Sequence, residues 1–259
     1  MTIATWNVNS LRARLPHVLT WLQDVKPDVL AVQETKVVNE DFPLQAIQEL
    51  GYHVISSGQK AYNGVAIISR LPMPTEHIIT DIPQHDDPQR RVLAVTINNT
   101  LRILNIYVPN GESVGSEKYQ YKLRWLQHLD MYLQTELKTY PNIVVLGDFN
   151  IAPHERDVHD PAAWQGKVLF SEPERQAFQA LLKVGFQDCF RQHAPDEQVY
   201  TWWDYRVNAF KRNMGLRIDH ILASQTLAAH CVSCRIDKLP RSWERPSDHT
   251  PVIAEFEYE

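Results

Sequence analysis

Short apolar runs that alternate with amphipathic stretches most restrict how this 259-residue chain folds. Runs of four to seven residues rich in Val, Ile and Leu predict buried strands, whereas apolar residues three and four apart predict helices. We predict strands over residues 3–6, 29–32, 64–69, 91–97, 101–107, 143–146, 217–222, 231–236 and 252–256. The alternation predicts an α/β fold in a single domain spanning residues 1–259.

Three helices are predicted from their apolar stripes and end signals. The first carries Leu11, Val18 and Leu22 on one face and ends at the pair 26–27, Lys-Pro. The second is long and covers roughly residues 117–138. The third opens at the capping-box spacing of Ser171 and Glu174 and closes near residue 185.

The composition is that of an ordinary globular protein, with 44% hydrophobic and 22% charged residues. No apolar run reaches the length of a membrane span, and no basic segment followed by an apolar stretch opens the chain. The net charge of −5 argues against a protein that coats nucleic acid, although it permits an enzyme with a local basic groove. We therefore expect a cytoplasmic protein with no membrane partner.

The cysteines are few, and two of them have the CxxC spacing of redox and zinc pairs. Cys231 and Cys234 lie in a predicted strand, where residues three apart point to opposite faces. No second pair or nearby histidine motif supports zinc, so we expect both thiols to be structural. Three cysteines in all suit a reducing compartment better than a disulfide framework.

Acids and amides gather where the predicted strands end. Asn7 and Glu34 follow the first two strands, Asp148 and Asn150 follow the strand at 143–146, and the pair 248–249, Asp-His, precedes the last. Strand ends and the loops after them are where α/β folds form their sites. Carboxylate and amide oxygens are the ligands of a hard cation such as Mg²⁺.

Each of these segments also has a plainer interpretation when taken alone. Gly, Asp and Asn are common turn formers, so residues 147–150 could be a solvated turn. Asp219, however, falls inside an apolar strand, and an unpaired buried carboxylate is costly. It is therefore a candidate to hold His249 in one tautomer. Tyr107 ends another strand, and its hydroxyl could bond a phosphate oxygen.

Taken together and in this order, these segments resemble one family from end to end. The sequence is similar to the exonuclease III family of apurinic/apyrimidinic endonucleases, within the deoxyribonuclease I-like phosphodiesterases. The segments that carry the resemblance are TWNVNSLRAR (5–14), QETK (33–36), NGVAIISR (63–70), NIYVPNG (105–111), GDFNIAP (147–153), TWWDYR (201–206), GLRIDHIL (215–222) and PSDHTPV (246–252). The resemblance implies a four-layer α/β sandwich, two facing mixed sheets flanked by helices, with the site at one edge.

The resemblance also implies a metal-dependent hydrolase and gives each polar residue a role. Mg²⁺, with Mn²⁺ as an alternative, would lie among Asn7, Glu34, Asp148, Asn150, Asp248 and His249, with Glu34 as the best ligand and Asp248 near a second metal position. Asp148 would deprotonate the attacking water, Asn150 would donate to a phosphoryl oxygen, and His249, held by Asp219, would contact the scissile phosphate. Tyr107 would stabilise the pentacoordinate phosphorus or the leaving group. One metal or two, and Asp148 or His249 as the base, stay open.

Substrate recognition is implied by the resemblance as well. Trp202, Leu216 and Ile218 would form an apolar pocket for a flipped-out sugar, and one of the two tryptophans at 202–203 would be core. Arg206, Lys211 and Arg212 would contact DNA phosphates, and the same role is open to Lys118, Lys122, Arg124, Arg217, Arg241 and Arg245. The implied partner is double-stranded DNA with abasic sites, bound by a monomer of bacterial origin.

These features predict hydrolysis of the DNA backbone 5′ to an abasic site, leaving 3′-hydroxyl and 5′-deoxyribose phosphate ends. The extent of accompanying 3′→5′ exonuclease or 3′-end trimming activity stays open. One alternative is a related phosphodiesterase acting on inositol phosphates, sphingomyelin or RNA tails, which would share the metal motifs but not residues 201–206 and 215–219. A second is a catalytically silent DNA-binding module, which would not need to keep the acids.

Overall fold

A computed structural model describes residues 1–257 of the chain. Most strands begin and end close to the predicted positions, because each apolar run is flanked by residues that favour turns. The strands are β1 (Thr2–Asn7), β2 (Val29–Gln33), β3 (His53–Ser57), β4 (Val65–Ser69), β5 (Val92–Ile97), β6 (Leu101–Tyr107), β7 (Asn142–Asp148), β8 (Phe186–Asp188), β9 (Trp202–Trp203), β10 (Gly215–Leu216), β11 (Asp219–Ser224), β12 (Cys231–Ile236) and β13 (Val252–Phe256).

The helices are bounded by the caps that the sequence supplies. Ser10 caps the first, which ends at Lys26 in the left-handed conformation, and Ser171 and Glu174 form the predicted capping box of the fifth. The helices are α1 (Leu11–Val25), α2 (Leu44–Gln48), α3 (Glu117–Thr139), α4 (Pro161–Trp164), α5 (Glu172–Gly185), α6 (Cys189–His193) and α7 (Gln225–Ala228). No helix in the described residues is both long and apolar enough to cross a membrane.

Two large sheets face each other, and both are mixed. One has the order β12-β13-β1-β2-β4-β3, and the other has the order β5-β6-β7-β11-β8. In the first sheet β1 and β2 are parallel, and in the second β6 and β7 are parallel, whereas their other neighbours are antiparallel. A small third sheet pairs β9 with β10.

The core lies in three apolar layers, which confirms the predicted four-layer sandwich. The middle layer fills the space between the sheets with side chains such as Val29, Leu146 and Val252. A second layer joins the outer face of the first sheet to α1 through Trp6 and Trp21. The third joins the other sheet to α3 and α5. Each sheet is thus covered on both faces, as its continuous apolar strands require.

The register of the strands brings the predicted site residues to one edge. The parallel pairing of β1 with β2 places Asn7 beside Gln33, directly before Glu34. The pairing of β6 with β7 places Tyr107 beside Asp148, and β11 places Asp219 on the other side of Asp148. Residues far apart in sequence therefore end at the same place in the sandwich.

Two local predictions differ from the structure. The strand predicted at 217–222 begins at Asp219, and the two residues before it lie outside any strand. The prediction that Cys231 and Cys234 face opposite sides is wrong, because both are buried in the layer between the sheets. The pairing of β12 with β13 shifts between Cys231 and Ser233, and the extra residue of a bulge reverses the alternation.

Candidate active site

Glu34, Asp148 and His249 form the centre of the site. Each offers a ligand atom, and these atoms all lie within 4.8 Å of one another. Asn7 joins the two carboxylates, because its Nδ2 donates to Glu34 Oε1 at 2.9 Å and to Asp148 Oδ2 at 2.8 Å. Lys36 forms an ion pair with the other oxygen of Glu34, with Nζ 3.1 Å from Oε2.

The turn after β7 sets the position of Asp148. Gly147 has φ +143°, and a Cβ there would lie 1.9 Å from the Ile106 carbonyl oxygen, so only glycine fits. Asp148 Oδ1 accepts from the backbone N of Asn150 at 2.9 Å, and Asn150 Nδ2 donates to the Val108 carbonyl at 2.9 Å. The Gly-Asp-x-Asn sequence is thus a rigid turn whose acid faces the site.

His249 is held between two carboxylates. Its Nδ1 lies 2.8 Å from Asp219 Oδ2, and its Nε2 lies 3.7 Å from Asp148 Oδ2. Burial by itself lowers the pKa of this imidazole, but Asp219 and Asp148 outweigh burial and raise the pKa well above its usual value. The two carboxylates therefore favour the protonated form of His249, and Nδ1 is directed to Asp219.

Two further groups in the site favour their protonated forms. Burial raises the pKa of Asp148 to about 7, although the nearby His249 opposes that change. Burial also raises the pKa of Tyr107 well above its usual value, and the charges of Glu34 and Asp148 add to it. An acid whose pKa is displaced toward neutrality, as that of Asp148 is, is typical of a catalytic site.

The donor set fits a hard divalent cation. Glu34 and Asp148 bring two carboxylates close together, and the chain puts a neutral amide rather than a hydrophobic residue between them. Asp248 does not join this group, because Trp202 Nε1 donates to its Oδ2 at 2.9 Å and Asn9 Nδ2 donates to its Oδ1 at 3.1 Å. The structure therefore groups Glu34, Asp148 and His249 and sets Asp248 apart as an anchor for Trp202.

An apolar wall, formed by one cluster of side chains, lies beside this group. Trp202 is partly buried and packs in one cluster with Leu216 and Ile218, which are fully buried. The isolated bridge between Trp202 and His249 ties this wall to the catalytic edge. Trp203 is completely buried, so the second tryptophan is the core residue of the pair.

The basic residues divide into exposed and buried groups. Arg206 is largely exposed and pairs with Asp204, while Lys211 and Arg212 are exposed on the same loop. Lys122 and Arg217, two of the suggested phosphate contacts, are buried. Lys122 pairs with Glu174, and Arg217 pairs with Asp157 at 2.6 Å and Asp188 at 2.8 Å. These two cations are structural and unavailable to DNA.

Comparison with known proteins agrees with this geometry. Residues 4–249 match the Endonuclease/Exonuclease/phosphatase family. The chain belongs to this family. Exodeoxyribonuclease III of Haemophilus influenzae is 37% identical over 275 residues, which cover 99% of this chain and all of that protein. The exodeoxyribonuclease of Bacillus subtilis is 34% identical, covering 97% of this chain and 98% of that protein.

Solved structures of family members have the same fold. The 3′ phosphatase NExo from Neisseria, bound to a product DNA hairpin, superposes with a TM-score of 0.97 at 47% identity, and both chains are covered completely. An AP endonuclease from Archaeoglobus fulgidus gives a TM-score of 0.95 at 43% identity, again over both whole chains. These members of the family are nucleases and end-processing phosphatases, which fits the phosphodiesterase chemistry expected here.

Sequence reasoning missed several residues that organise this family member's site. Lys36 Nζ donates to Asn9 Oδ1 at 2.6 Å and also pairs with Glu34. The Arg91 guanidinium lies 4.8 Å from the centre of the Tyr107 ring and donates to the Tyr107 carbonyl oxygen at 3.2 Å. Asn9 and Lys36 lie within segments that carry the resemblance to the family, and that was the signal by which sequence reasoning could have found them. Arg91 lies outside those segments, so no such signal marked it.

Proposed function

We propose that this chain is a DNA-repair phosphodiesterase that hydrolyses the backbone on the 5′ side of abasic sites, leaving 3′-hydroxyl and 5′-deoxyribose phosphate ends. One observation carries the proposal: the group of Glu34, Asp148 and His249 stands beside the apolar wall of Trp202. Such a site suits a phosphodiester whose neighbouring sugar has no base. Similarity to nucleases over the whole chain length supports the same conclusion.

The donor set suits Mg²⁺, with Mn²⁺ as an alternative, held chiefly by Glu34 with Asn7 and Asp148 beside it. When bound, the ion neutralises charge on the phosphoryl oxygens and on the leaving oxygen. Asn7 keeps the two carboxylates together through its amide, and Lys36 limits their mutual repulsion.

The protein's own groups carry the proton transfers. Asp148 accepts the proton of the attacking water, for which a pKa near 7 is well matched. Asp219 binds Nδ1 of His249 and thereby fixes the ring so that Nε2 is available to the scissile phosphate. Tyr107 and Asn150 donate hydrogen bonds to the phosphate as negative charge develops on its oxygens.

Selectivity for abasic sites follows from the pocket wall. A sugar without a base costs little to extrude from the duplex, and a narrow apolar pocket excludes one that still carries its base. Trp202 is held in place by its bond to Asp248, and Leu216 and Ile218 have no exposed surface to rearrange. The wall is thus rigid enough to discriminate by size.

The remaining parts of the proposal concern context. The partner is double-stranded DNA containing abasic sites, bound by a monomer through Arg206, Lys211 and Arg212. Action in the cytoplasm of a bacterium is supported by the two bacterial exodeoxyribonucleases of similar length.

An end-mapping assay tests the function. A duplex with one abasic site is incubated with the protein, with and without Mg²⁺, and both product ends are identified. We expect incision only with the metal, yielding a 3′-hydroxyl and a 5′-deoxyribose phosphate. A 3′-unsaturated aldehyde would indicate β-elimination and reject the hydrolytic mechanism.

A second candidate function is removal of 3′ phosphates, which is favoured by the 47% identity to the Neisseria 3′ phosphatase. The two functions are separated by measuring the rates on an abasic duplex and on a duplex that bears a 3′ phosphate at a nick. A kcat/KM for the 3′ phosphate far above that for the abasic site would make 3′-end processing the main activity.

A further inference from the structure

A second pocket lies behind the loop that carries Arg206, Lys211 and Arg212. It is an open pocket between that loop and residues 239–246, and its volume is about 340 Å³. This volume falls within the range of about 300–1,000 Å³ that is usual for small-molecule sites. We call it the loop pocket. Neither Glu34, Asp148, His249 nor the Trp202 wall contributes to it.

The buried cation of the loop pocket forms no ion pair in the described part of the chain, and the carboxylate in the lining, Asp204, pairs with Arg206. Arg241 is only 8% exposed, and its Nη2 donates to the Trp203 carbonyl at 3.1 Å while Nε has no hydrogen-bond partner. Three other cations that are buried more deeply, Lys122, Arg102 and Arg217, each pair with a carboxylate. Within residues 1–257, no ion pair within 4.0 Å involves Arg241. A buried guanidinium in this state is suited to an incoming anion.

Aromatic rings surround this cation. The Arg241 guanidinium lies 5.4 Å from the centre of the Tyr205 ring and 5.1 Å from that of Phe210. Trp243 and Lys211 also line the pocket, and Tyr205 is 51% exposed. Aromatic faces beside arginine and lysine are the combination by which proteins bind unpaired nucleotides, with bases stacked on rings and phosphates on cations.

The loop pocket is connected to the active site. The Tyr205 hydroxyl donates to the Pro246 carbonyl at 2.8 Å and accepts from Asn9 Nδ2 at 3.2 Å. Asn9 in turn bonds Asp248, and the backbone N of Trp203 donates to the Asp248 carbonyl. Through these bonds the loop pocket adjoins Asp248, which also holds Trp202 at the edge of the proposed active site.

We propose that the loop pocket holds one unpaired nucleotide of the DNA, with its base against Tyr205 or Trp243 and its phosphate against Arg241 and Lys211. A base must leave its partner before it can stack on a ring inside the pocket, so the site distinguishes frayed or single-stranded DNA from intact duplex. The proposal rests on the proposed function only in taking DNA as the ligand.

Fluorescence anisotropy with a labelled single-stranded oligodeoxynucleotide, in EDTA to prevent cleavage, tests the stacking. We expect Trp243→Ala to weaken binding roughly 5- to 150-fold, the usual effect of removing one stacking ring. Trp243→Phe keeps a ring and should stay within a few-fold of the unaltered protein, which separates stacking from a folding defect. If both variants bind as tightly as the unaltered protein, the proposal is wrong.

The salt dependence of the same binding tests the phosphate contact. Lys211→Ala should reduce the slope of log affinity against log salt by about 0.7, the value for one single-strand phosphate. Lys183→Ala, an exposed lysine on α5, is the matched control and should leave the slope unchanged. Equal slopes for both variants would overturn the assignment.

Location and ligand class are tested by photo-cross-linking with an oligodeoxynucleotide that carries 5-iododeoxyuridine. We expect cross-links to the peptides that contain Tyr205, Phe210 or Trp243, and no competition by inorganic phosphate alone. Full competition by phosphate would identify a simple anion site, and cross-links only at Trp202 would place the strand elsewhere. Each of these two results would reject the loop pocket as a nucleotide site. If the protein still incises the abasic duplex normally, the proposed function stands.

Discussion

Nδ1 of His249 lies 2.8 Å from Oδ2 of Asp219, and both side chains are almost completely buried. The Asp219 carboxylate, at the start of β11, fixes the orientation of the His249 ring. The other ring nitrogen, Nε2, faces Asp148. The position of His249 therefore depends on a buried carboxylate that lies 30 residues away in the sequence.

Asp219→Asn tests that dependence. The amide keeps the size of the side chain but loses the charge that raises the pKa of His249, so the ring loses its fixed tautomer. We expect kcat for abasic incision to fall about 10- to 100-fold, the usual effect of losing a residue that orients a catalytic histidine. Asp24→Asn on the exposed face of α1 is the control, and unchanged kcat in Asp219→Asn would refute the orienting role.

Asp148→Asn and Glu34→Ala should separate the water-activating group from the metal ligand. Removing the base at Asp148 should reduce kcat by about 10²–10⁴ at any Mg²⁺ concentration. Glu34→Ala should instead raise the Mg²⁺ concentration needed for half-maximal rate, with kcat partly restored at saturation. A titration of the incision rate against Mg²⁺ concentration for both variants separates the two effects. Near-normal turnover by Asp148→Asn at saturating metal would show that Asp148 is not the base.

Local patterns in the sequence predicted most strands and the turn at Asp148, whereas the layers and the site at one edge followed from the resemblance to the family. Apolar runs fix the strands, and Gly147 with Asp148 and Asn150 forms its turn from bonds within three residues. Parallel pairing of β1 with β2 then brings Asn7 and Glu34 together without any further information.

The burial of cations could not be predicted in the same way. Lys122 and Arg217 look like surface residues in sequence, and their partners lie 52 and 60 residues away. The bulge that turns Cys231 and Cys234 to the same side has a comparable origin, since it is set by the pairing with β13. The burial of both cations and the position of the bulge depend on pairing between distant residues, which a local sequence pattern does not encode.

Lys122→Met tests the buried pair with Glu174. Lys122 Nζ also donates to the Asn150 carbonyl at 2.6 Å, so the pair joins α3, α5 and the catalytic turn. Removing one partner leaves an unpaired buried charge, and we expect the free energy of unfolding to fall by about 3–5 kcal/mol.

Urea denaturation measures this loss. Lys118→Met, one turn earlier on α3 and paired with Glu112 at an exposed position, is the matched control and should change stability by less than about 1 kcal/mol. The double variant Lys122→Met/Glu174→Gln should recover part of the loss, because it removes the unpaired carboxylate. Equal stability of the two single variants would contradict a structural role for Lys122.

His220 should make the fold less stable in mild acid. Burial, aided by the Arg217 charge, lowers its pKa from 6.5 to about 4, and its Nε2 donates to the Ile151 carbonyl at 2.8 Å. Between these two pKa values the unfolded chain binds the proton and the folded chain does not, so stability falls as pH drops from about 6.5 to 4. The loss from His220 between pH 7 and pH 5 should be about 2 kcal/mol.

The comparison that isolates His220 is with His220→Gln, whose amide can still donate to Ile151. Its unfolding free energy, measured in urea at both pH values, should fall by about 2 kcal/mol less than that of the unaltered protein. An identical fall in both proteins would assign the acid sensitivity to other groups.

Trp202→Ala tests where selectivity for abasic DNA originates. Trp202 contributes the partly exposed face of the pocket wall, whereas Leu216 and Ile218 lie fully buried behind it. Removing the indole should therefore abolish the preference for an abasic duplex over an intact one, because the pocket performs that selection. Arg206→Ala is the contrasting variant, since a phosphate contact carries no information about the base and should weaken both duplexes alike. Binding isotherms across a salt series measure both effects, and Arg206→Ala should reduce the log–log slope by about 0.9. If Trp202→Ala lowers both affinities equally and leaves their ratio unchanged, Trp202 is only a packing residue and selectivity lies elsewhere.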